Sequence, residues 1–227
     1  MSDAAAAHAD PHAHAHHPAQ QHHFDSMTQQ HEAATLGMWL FLVTEVMFFG
    51  GLLMAYLLYR VWYPEAWAEG SLDLDIVLGG TNTAVLIASS LTMAFAVRNA
   101  QIGKHRATVI WLLLTMAFGL TFLVIKFFEY KHKFELHHVP GYDFVYPGPH
   151  GRQIEIFFSL YFSLTGLHAT HMIVGMVIMA VIARMAAKGE FTAEWYTPVE
   201  IMGLYWHFVD LVWIFLFPLL YLIGGAH

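Results

Sequence analysis

One acidic side chain, Glu45, interrupts the otherwise uncharged apolar run Leu36–Tyr59. The run has about 24 residues, and about 20 apolar residues are enough for a helix to cross a bilayer. An ionisable group at that depth is costly unless it is paired, neutralised or in contact with water. Glu45 is therefore a candidate functional residue that needs a polar partner from another segment.

Two later apolar runs carry imidazoles and a second carboxylate. His168 and His171 are three residues apart, and His207 and Asp210 repeat that spacing. Because residues three apart are neighbours on a helix, each pair is predicted to share one helix face. At about 1.5 Å per residue, these four groups and Glu45 lie near mid-depth of a bilayer or somewhat inside it. Hydrogen bonds among them lower the cost of burial, so we expect one of the histidines to be the partner of Glu45.

Three kinds of site fit these residues. The first is a satisfied polar cluster that only fixes helix packing, and the second handles protons or binds a lipid headgroup. The third ligates haem or a metal, with His168 or His171 facing His207 as the haem ligands. Metal sites in helix bundles usually gather several carboxylates from facing helices. The residues alone leave all three hypotheses open.

The elements that must position these side chains are five apolar runs, each long enough to span a bilayer. They are Leu36–Tyr59, Ile76–Val97, Thr108–Phe128, Ile154–Met185 and Ile201–Ile223. Runs this long and uniform are typical of helices rather than barrel strands. We therefore predict an all-α polytopic membrane helix bundle with five transmembrane helices over residues 36–227. The fourth run is long and is expected to tilt or to project from the bilayer.

Composition limits the class of protein. Hydrophobic residues make up 57% of the chain and charged residues 12%, too few charges for a soluble domain of this size. Cysteine is absent, which excludes disulfides, thiolate metal sites and cysteine-attached haem. The net charge of −7 and the lack of a basic patch argue against nucleic acid as a partner. Nothing near the N-terminus resembles a signal or transit peptide.

Residues 1–35 form a separate region with eight histidines among Ala, Gln and Pro. We predict a disordered cytoplasmic tail, with metal buffering or a pH-sensitive contact as the alternatives. The loop Lys131–Gln153 is too long for a simple connector and is expected to pack on another part of the protein. Basic residues divide evenly, five on each side, when Lys126 and Lys133 are counted outside. The acidic loop Val61–Asp75 and the basic loop after the second run favour a cytoplasmic N-terminus and an outer C-terminus.

Several motifs give a specific family resemblance. The strongest are TGLHATH within Phe157–Gly175 and WHFVD within Tyr205–Tyr221, supported by blocks at Trp39–Gly51 and Thr81–Ser90 and by FEY at Phe128–Tyr130. From residue 36 onward the chain resembles subunit III of the haem–copper terminal oxidases of the cytochrome c oxidase type, in the short five-helix bacterial form.

The resemblance implies a non-redox subunit of a proton-pumping oxidase that reduces oxygen to water in aerobic respiration. It implies no catalytic residue, metal or haem on this chain, with haem and copper on partner subunits. The expected partners are subunit I, other oxidase subunits and phospholipids held in a cleft. The expected location is the bacterial plasma membrane, and the expected role is to support proton uptake and stability during turnover.

The same resemblance assigns residues. Glu45 matches the family's carbodiimide-reactive glutamate, and His168, His171 and His207 match its conserved histidines. These four residues and Asp210 are the predicted buried, proton-linked group. The expected lipid contacts are Trp39, Arg98 and His207. Lys126 departs from the family, since many members have Gln there.

Two other functions remain open at this stage. One is a stand-alone membrane haem protein that carries electrons through His168 or His171 and His207. The other is the related subunit of a quinol oxidase or a nitric oxide reductase. The electron donor binds other subunits in this family, so this sequence does not identify the donor.

Overall fold

Six helices make up most of the computed structural model, which describes residues 20–141, 143–147 and 149–222. They are α1 (Met27–Trp62), α2 (Pro64–Leu72), α3 (Ile76–Gln101), α4 (His105–Glu135), α5 (Gly151–Ala187) and α6 (Thr197–Tyr221). These described ranges contain no β-strand. All of the helices except α2 are long and apolar enough to cross a membrane. The predicted all-α bundle with five transmembrane helices is confirmed.

Helix α1 begins earlier than the apolar run. Its N-cap is Ser26, whose side chain accepts a hydrogen bond from the backbone N–H of Gln29 at 3.1 Å. Such a cap satisfies an N–H that has no partner within the helix. Residues 27–35 are therefore helical, and the prediction of a disordered tail as far as residue 35 is wrong for them. Residues 1–19, which hold most of the tail histidines, lie outside the described residues.

The fourth predicted span is the longest helix. Helix α5 has 37 residues, which is about 56 Å at about 1.5 Å per residue. A bilayer core is only about 30 Å thick, so a helix of this length is expected to tilt or to project beyond it. We call the face of the bundle where α1 begins the near side, and the face where α6 ends the far side.

Helices α3, α4, α5 and α6 pack together as a four-helix core, and α1 lies at its edge against α5 and α6. Trp206 is fully buried in the centre of that core. The ring of Trp206 lies so close to α4 and α5 that each of these helices has a glycine at the point of contact. A Cβ at Gly119 would come 3.0 Å from its ring, and one at Gly175 would come 3.1 Å from it and 2.8 Å from the Tyr205 ring. These glycines allow α6 to approach α4 and α5 closely.

The far side is covered by α2 and by the loop between α4 and α5. Pro64 occupies the first turn of α2, where its missing N–H costs nothing. The helix buries Trp67 completely. In the loop, Phe144 and Tyr146 pack against the hydrophobic core. The prediction that this loop packs on another part of the protein is confirmed.

Two lysines of α4 that were assigned to the outer side are buried in the protein. Lys126 and Lys133 are 4% and 2% exposed. Lys133 is nevertheless at the far end of α4, where its Nζ donates to the carbonyl oxygen of Asp73. Without Lys126, the far side has four basic residues (Arg60, Lys131, Lys133 and Arg152), against five on the near side. Helix α4 ends at Glu135, seven residues beyond the predicted run.

Candidate functional site

Glu45 is hydrogen-bonded to a histidine across the α1–α5 contact. Its Oε2 lies 2.9 Å from Nε2 of His171. The other ring nitrogen of His171, Nδ1, lies 2.9 Å from the carbonyl oxygen of Leu167 one turn away. The Phe49 ring lies 5.2 Å from the imidazole, between centroids. The expected histidine partner of Glu45 is therefore His171.

This arrangement fixes the number of protons that the pair holds. A carbonyl oxygen only accepts hydrogen bonds, so Nδ1 of His171 must carry hydrogen. The 2.9 Å contact to Glu45 then requires one further proton, either on the carboxyl or on Nε2. Both forms have zero net charge. Glu45 and His171 can exchange this proton without placing a net charge in the membrane.

His207 and Asp210 meet α3 instead of α1. Nδ1 of His207 lies 2.6 Å from the Ser90 hydroxyl, and Oδ2 of Asp210 lies 3.2 Å from the Ser89 hydroxyl. The prediction that this pair shares one helix face is confirmed. Asp210 is buried, and its Oδ1 has no hydrogen-bond partner among the described residues. The indole N–H of Trp206 donates to the same Ser89 oxygen at 3.2 Å.

His168 does not join either group. Its ring is fully buried, with its centroid 5.2 Å from that of Phe122 and 5.1 Å from that of Trp213. Neither ring nitrogen has a hydrogen-bond partner within the described chain. His168 thus faces α4 and α6, whereas His171 faces α1. His171 also contacts Tyr205 of α6, so the two histidines share α6 and differ in their second neighbour. Positions three apart are about 60° apart around a helix axis, which is enough for this difference.

The predicted residues therefore form three separate polar sites rather than one cluster. Across the described part of the chain, no three His, Asp or Glu side chains gather closely enough to hold a metal ion. His171 and His207 are each hydrogen-bonded to a different helix. The geometry gives no support to the haem or metal hypothesis.

Two grooves flank α1. The α5 groove has a volume of about 740 Å³ and lies between α1, α5 and α6. It is lined by Met38, Phe41, Glu45, Thr170, His171, Val174, Ile178, Ile182, Pro198, Ile201, Met202 and Tyr205. The α3 groove has a volume of about 850 Å³ and lies between α1, α3 and α6. It is lined by Trp39, Leu42, Val43, Val46, Met47, Ile87, Ser90, Leu91, Ala94, Leu204, His207, Phe208, Asp210, Leu211 and Ile214.

The residues predicted to bind lipid meet at the near end of the α3 groove. Trp39 and His207 line the groove itself. A smaller cavity of about 280 Å³ shares Ala94, Leu204 and His207 with it and adds Arg98. A long apolar surface thus ends beside a guanidinium and an imidazole.

A buried ionic cluster joins α4, α5 and α6, and the sequence interpretation missed it. Nζ of Lys126 lies 3.0 Å from Oε2 of Glu129 and donates to the hydroxyl of Tyr221. The hydroxyls of Tyr161 and Tyr221 both donate to Oε1 of Glu129. The Lys126 ammonium also lies 4.6 Å from the ring of Trp213, within cation–π range. The signal in the sequence was the Lys-x-x-Glu spacing at the end of an apolar run.

Asp73 connects the far side of α4 with the loop that follows it. Nζ of Lys133 donates to the Asp73 carbonyl oxygen, and Nδ1 of His138 lies 3.6 Å from Oδ2 of Asp73. Burial lowers the pKa of His138, and the Asp73 carboxylate opposes that shift. Burial also raises the pKa of Tyr146 to about 12, and Asp73 adds to the shift.

A bundle of five membrane-length helices with these polar sites defines an integral membrane protein. Comparison with known proteins identifies its family. The family described as cytochrome c oxidase subunit III matches residues 19–225. The chain belongs to the cytochrome c oxidase subunit III family, which confirms the resemblance read from the motifs.

Individual relatives come from oxidases of two kinds. The chain is 36% identical to cytochrome c oxidase subunit 3 of Synechocystis sp., over 82% of this chain and 74% of the relative. It is 32% identical to cytochrome c oxidase subunit 3 of Thermostichus vulcanus, over 83% of this chain and 86% of the relative. It is 30% identical to cytochrome bo(3) ubiquinol oxidase subunit 3 of Pseudomonas putida, over 85% of this chain and 87% of the relative.

Proposed function

We propose that this chain is a non-redox subunit of a proton-pumping haem–copper oxidase that reduces oxygen to water in a bacterial plasma membrane. It packs against subunit I. Haem and copper are bound by subunit I and the other partner subunits. The family match supports the complex. The single observation that supports a proton-linked role is the 2.9 Å hydrogen bond between Glu45 and His171, which holds one exchangeable proton.

The α3 groove is the proposed phospholipid site. Its wall is apolar, as acyl chains require, and Arg98 and His207 lie together at its near end. A guanidinium is well suited to a phosphate because it donates several hydrogen bonds and keeps its charge. Trp39 lines the same groove, and tryptophan is enriched at membrane interfaces.

The proposed orientation places the near side in the cytoplasm. Five basic residues lie on that side, against four on the far side when Lys126, which is buried nine residues before the end of α4, is left out. The excess follows the rule that cytoplasmic loops are enriched in Lys and Arg. The end of α6 then faces the outside.

Purification from native membranes tests the complex. A mildly solubilised, affinity-tagged chain should carry haem and copper with it, visible in the optical spectrum and by metal analysis. Oxygen uptake with reduced cytochrome c, compared with uptake with a quinol, then identifies the electron donor. A chain that is recovered alone and colourless from native membranes would contradict the proposal.

A further inference from the structure

Neither groove is lined by a lysine or an arginine, but the α3 groove adjoins a small cavity that is lined by Arg98. The lining of the α5 groove has one carboxyl group and one imidazole, those of Glu45 and His171. That pair is neutral overall, so the groove offers no counter-charge to a phosphate. Beside this pair an uncharged polar group is favoured, because an unpaired charge at this depth is costly.

The polar pair can still bind a headgroup by hydrogen bonding. The side chains of Glu45 and His171 are 15% and 14% exposed, and both line the groove. Oε2 of Glu45 is hydrogen-bonded to His171. Oε1 of Glu45 has no hydrogen bond to any described residue. A carboxyl oxygen in this position accepts a hydrogen bond from a hydroxyl group.

The aromatic residues of the groove favour a flat headgroup. The rings of Phe41 and Tyr205 are 6.1 Å apart, with 30° between their planes. The rings of Tyr205 and His171 are 6.5 Å apart, with 25° between their planes. The Tyr205 ring thus has a second ring on each side, inclined to it by 25–30°, and all three residues line the groove with Glu45. Aromatic rings prefer offset-stacked or edge contacts with one another.

The remainder of the groove suits an apolar tail. It continues along α5 from His171 to Ile182 and reaches Pro198 at the start of α6. The eleven helical steps from His171 to Ile182 correspond to about 16 Å of groove at about 1.5 Å per step. This part is lined by Val174, Ile178 and other apolar side chains.

We propose that the α5 groove binds an isoprenoid quinol, with a ring hydroxyl donating to Glu45 and the tail lying along α5. The proposal concerns binding alone and assigns no electron transfer to this chain. It rests on the charge, hydrogen-bonding groups and rings of the groove, and it stands independently of the oxidase function proposed above.

Photolabelling tests the site on the full-length chain, kept with its native partner subunits in nanodiscs. The probe is a decyl-tailed azidobenzoquinone, reduced to the quinol before illumination, and labelled peptides are located by mass spectrometry. We expect label on Phe41–Glu45 of α1 and on Thr170–Ile178 of α5. Unlabelled decylubiquinol should suppress this label, whereas equal concentrations of palmitic acid or phosphatidylglycerol should not.

Two matched variants separate the grooves. Val174→Trp fills the α5 groove and should reduce the label there by about tenfold, equivalent to about 1.4 kcal/mol. Leu91→Trp makes a similar change at an exposed position of the α3 groove. It should leave the label in the α5 groove unchanged. Glu45→Leu removes the hydrogen-bonding oxygen and should also reduce the label by about tenfold.

Three results would overturn the proposal. One is label spread equally over both grooves, and another is label that Val174→Trp leaves unchanged. The third is competition by palmitic acid or phosphatidylglycerol as strong as that by decylubiquinol, which would identify an ordinary acyl-chain site. The competition experiment uses the unaltered chain, so it decides the question even if a variant fails to fold.

Discussion

Lys126 and Glu129 form an ion pair in the interior of the bundle, with Nζ of one 3.0 Å from Oε2 of the other. Both side chains are about 5% exposed. Desolvating two charges costs several kcal/mol for each ion, and their attraction offsets this only if further hydrogen bonds complete the site. Tyr161 and Tyr221 supply those bonds to Glu129. The pair therefore depends on both of its members.

Removing either member should destabilise the chain more than removing both. Lys126→Met or Glu129→Gln alone is expected to cost about 3–5 kcal/mol, because one buried polar group is left without its partner. The double variant should recover most of the loss. Thermal unfolding of the four proteins in one detergent, analysed as a double-mutant cycle, measures the coupling.

The exposed pair Lys131 and Glu135 on the same helix is the matched control. Their charged atoms are 3.8 Å apart, and both side chains are 62% exposed. Lys131→Met and Glu135→Gln should each change the stability by less than about 0.5 kcal/mol. Equal effects of the buried and exposed pairs would show that burial does not strengthen the coupling.

Glu45→Gln tests the proton-linked role of the site. The amide N–H can donate to Nε2 of His171 in place of the carboxyl, so assembly and the haem spectrum of the complex should be retained. The amide cannot exchange a proton with the imidazole. Proton stoichiometry or catalytic lifetime should therefore fall, as measured with reconstituted vesicles and prolonged turnover assays.

Thr44→Val serves as the control, because Thr44 is adjacent to Glu45 but bonds only to its own helix at Phe41. It should leave rate, stoichiometry and lifetime unchanged. If Glu45→Gln also matches the wild type in all three, the pair of Glu45 and His171 has a packing role only.

Arg98→Gln tests the phospholipid site in the α3 groove. Loss of a charged hydrogen bond is worth about 1.5–3 kcal/mol, so retention of phosphatidylglycerol should weaken by about ten- to a hundredfold. Native mass spectrometry after gentle extraction measures the bound fraction. Arg106→Gln removes the same charge on the near side outside this groove and should leave retention unchanged. Equal loss in both variants would indicate a general effect of charge.

His138 should make the loop after α4 sensitive to acid. Burial lowers its pKa, Lys133 and His132 lower it further, and Asp73 opposes them. Its contribution to stability is therefore present above the ordinary value of about 6.5 and is lost as the pH falls from there through the folded-state pKa. Hydrogen exchange of residues 136–141, corrected for the intrinsic rate, should accelerate between pH 7.5 and pH 5.5.

His138→Gln should remove most of this acceleration, because glutamine does not titrate. His137→Asn is the matched control, since His137 is exposed and asparagine tolerates its positive φ of 55°. An acceleration of the same size in the His138→Gln protein would show that other groups control the loop.

The sequence predicted the helices and the histidine bond of Glu45 for physical reasons. Apolar length sets where a chain can cross a bilayer, and a buried carboxyl requires a partner. It did not separate His168 from His171, because which helix lies beside each face depends on the whole packing. The sequence interpretation also missed the cluster around Glu129. Its carboxylate accepts hydrogen bonds from the hydroxyls of Tyr161 and Tyr221, which lie 32 and 92 residues later in the chain.

The bond between Glu45 and His171 joins residues 126 positions apart in the chain, and this has a consequence for biosynthesis. The first helix leaves the ribosome and reaches the insertion machinery before α5 has been translated. Glu45 must therefore enter the bilayer without its imidazole partner, at a cost of about 2.5–3.5 kcal/mol on the insertion scale for an acid at the centre of a helix. Each leucine, valine or phenylalanine around it favours insertion by about 0.3–0.6 kcal/mol. The strong apolarity of α1 thus offsets the insertion cost of Glu45 until α5, which is synthesised later, supplies His171.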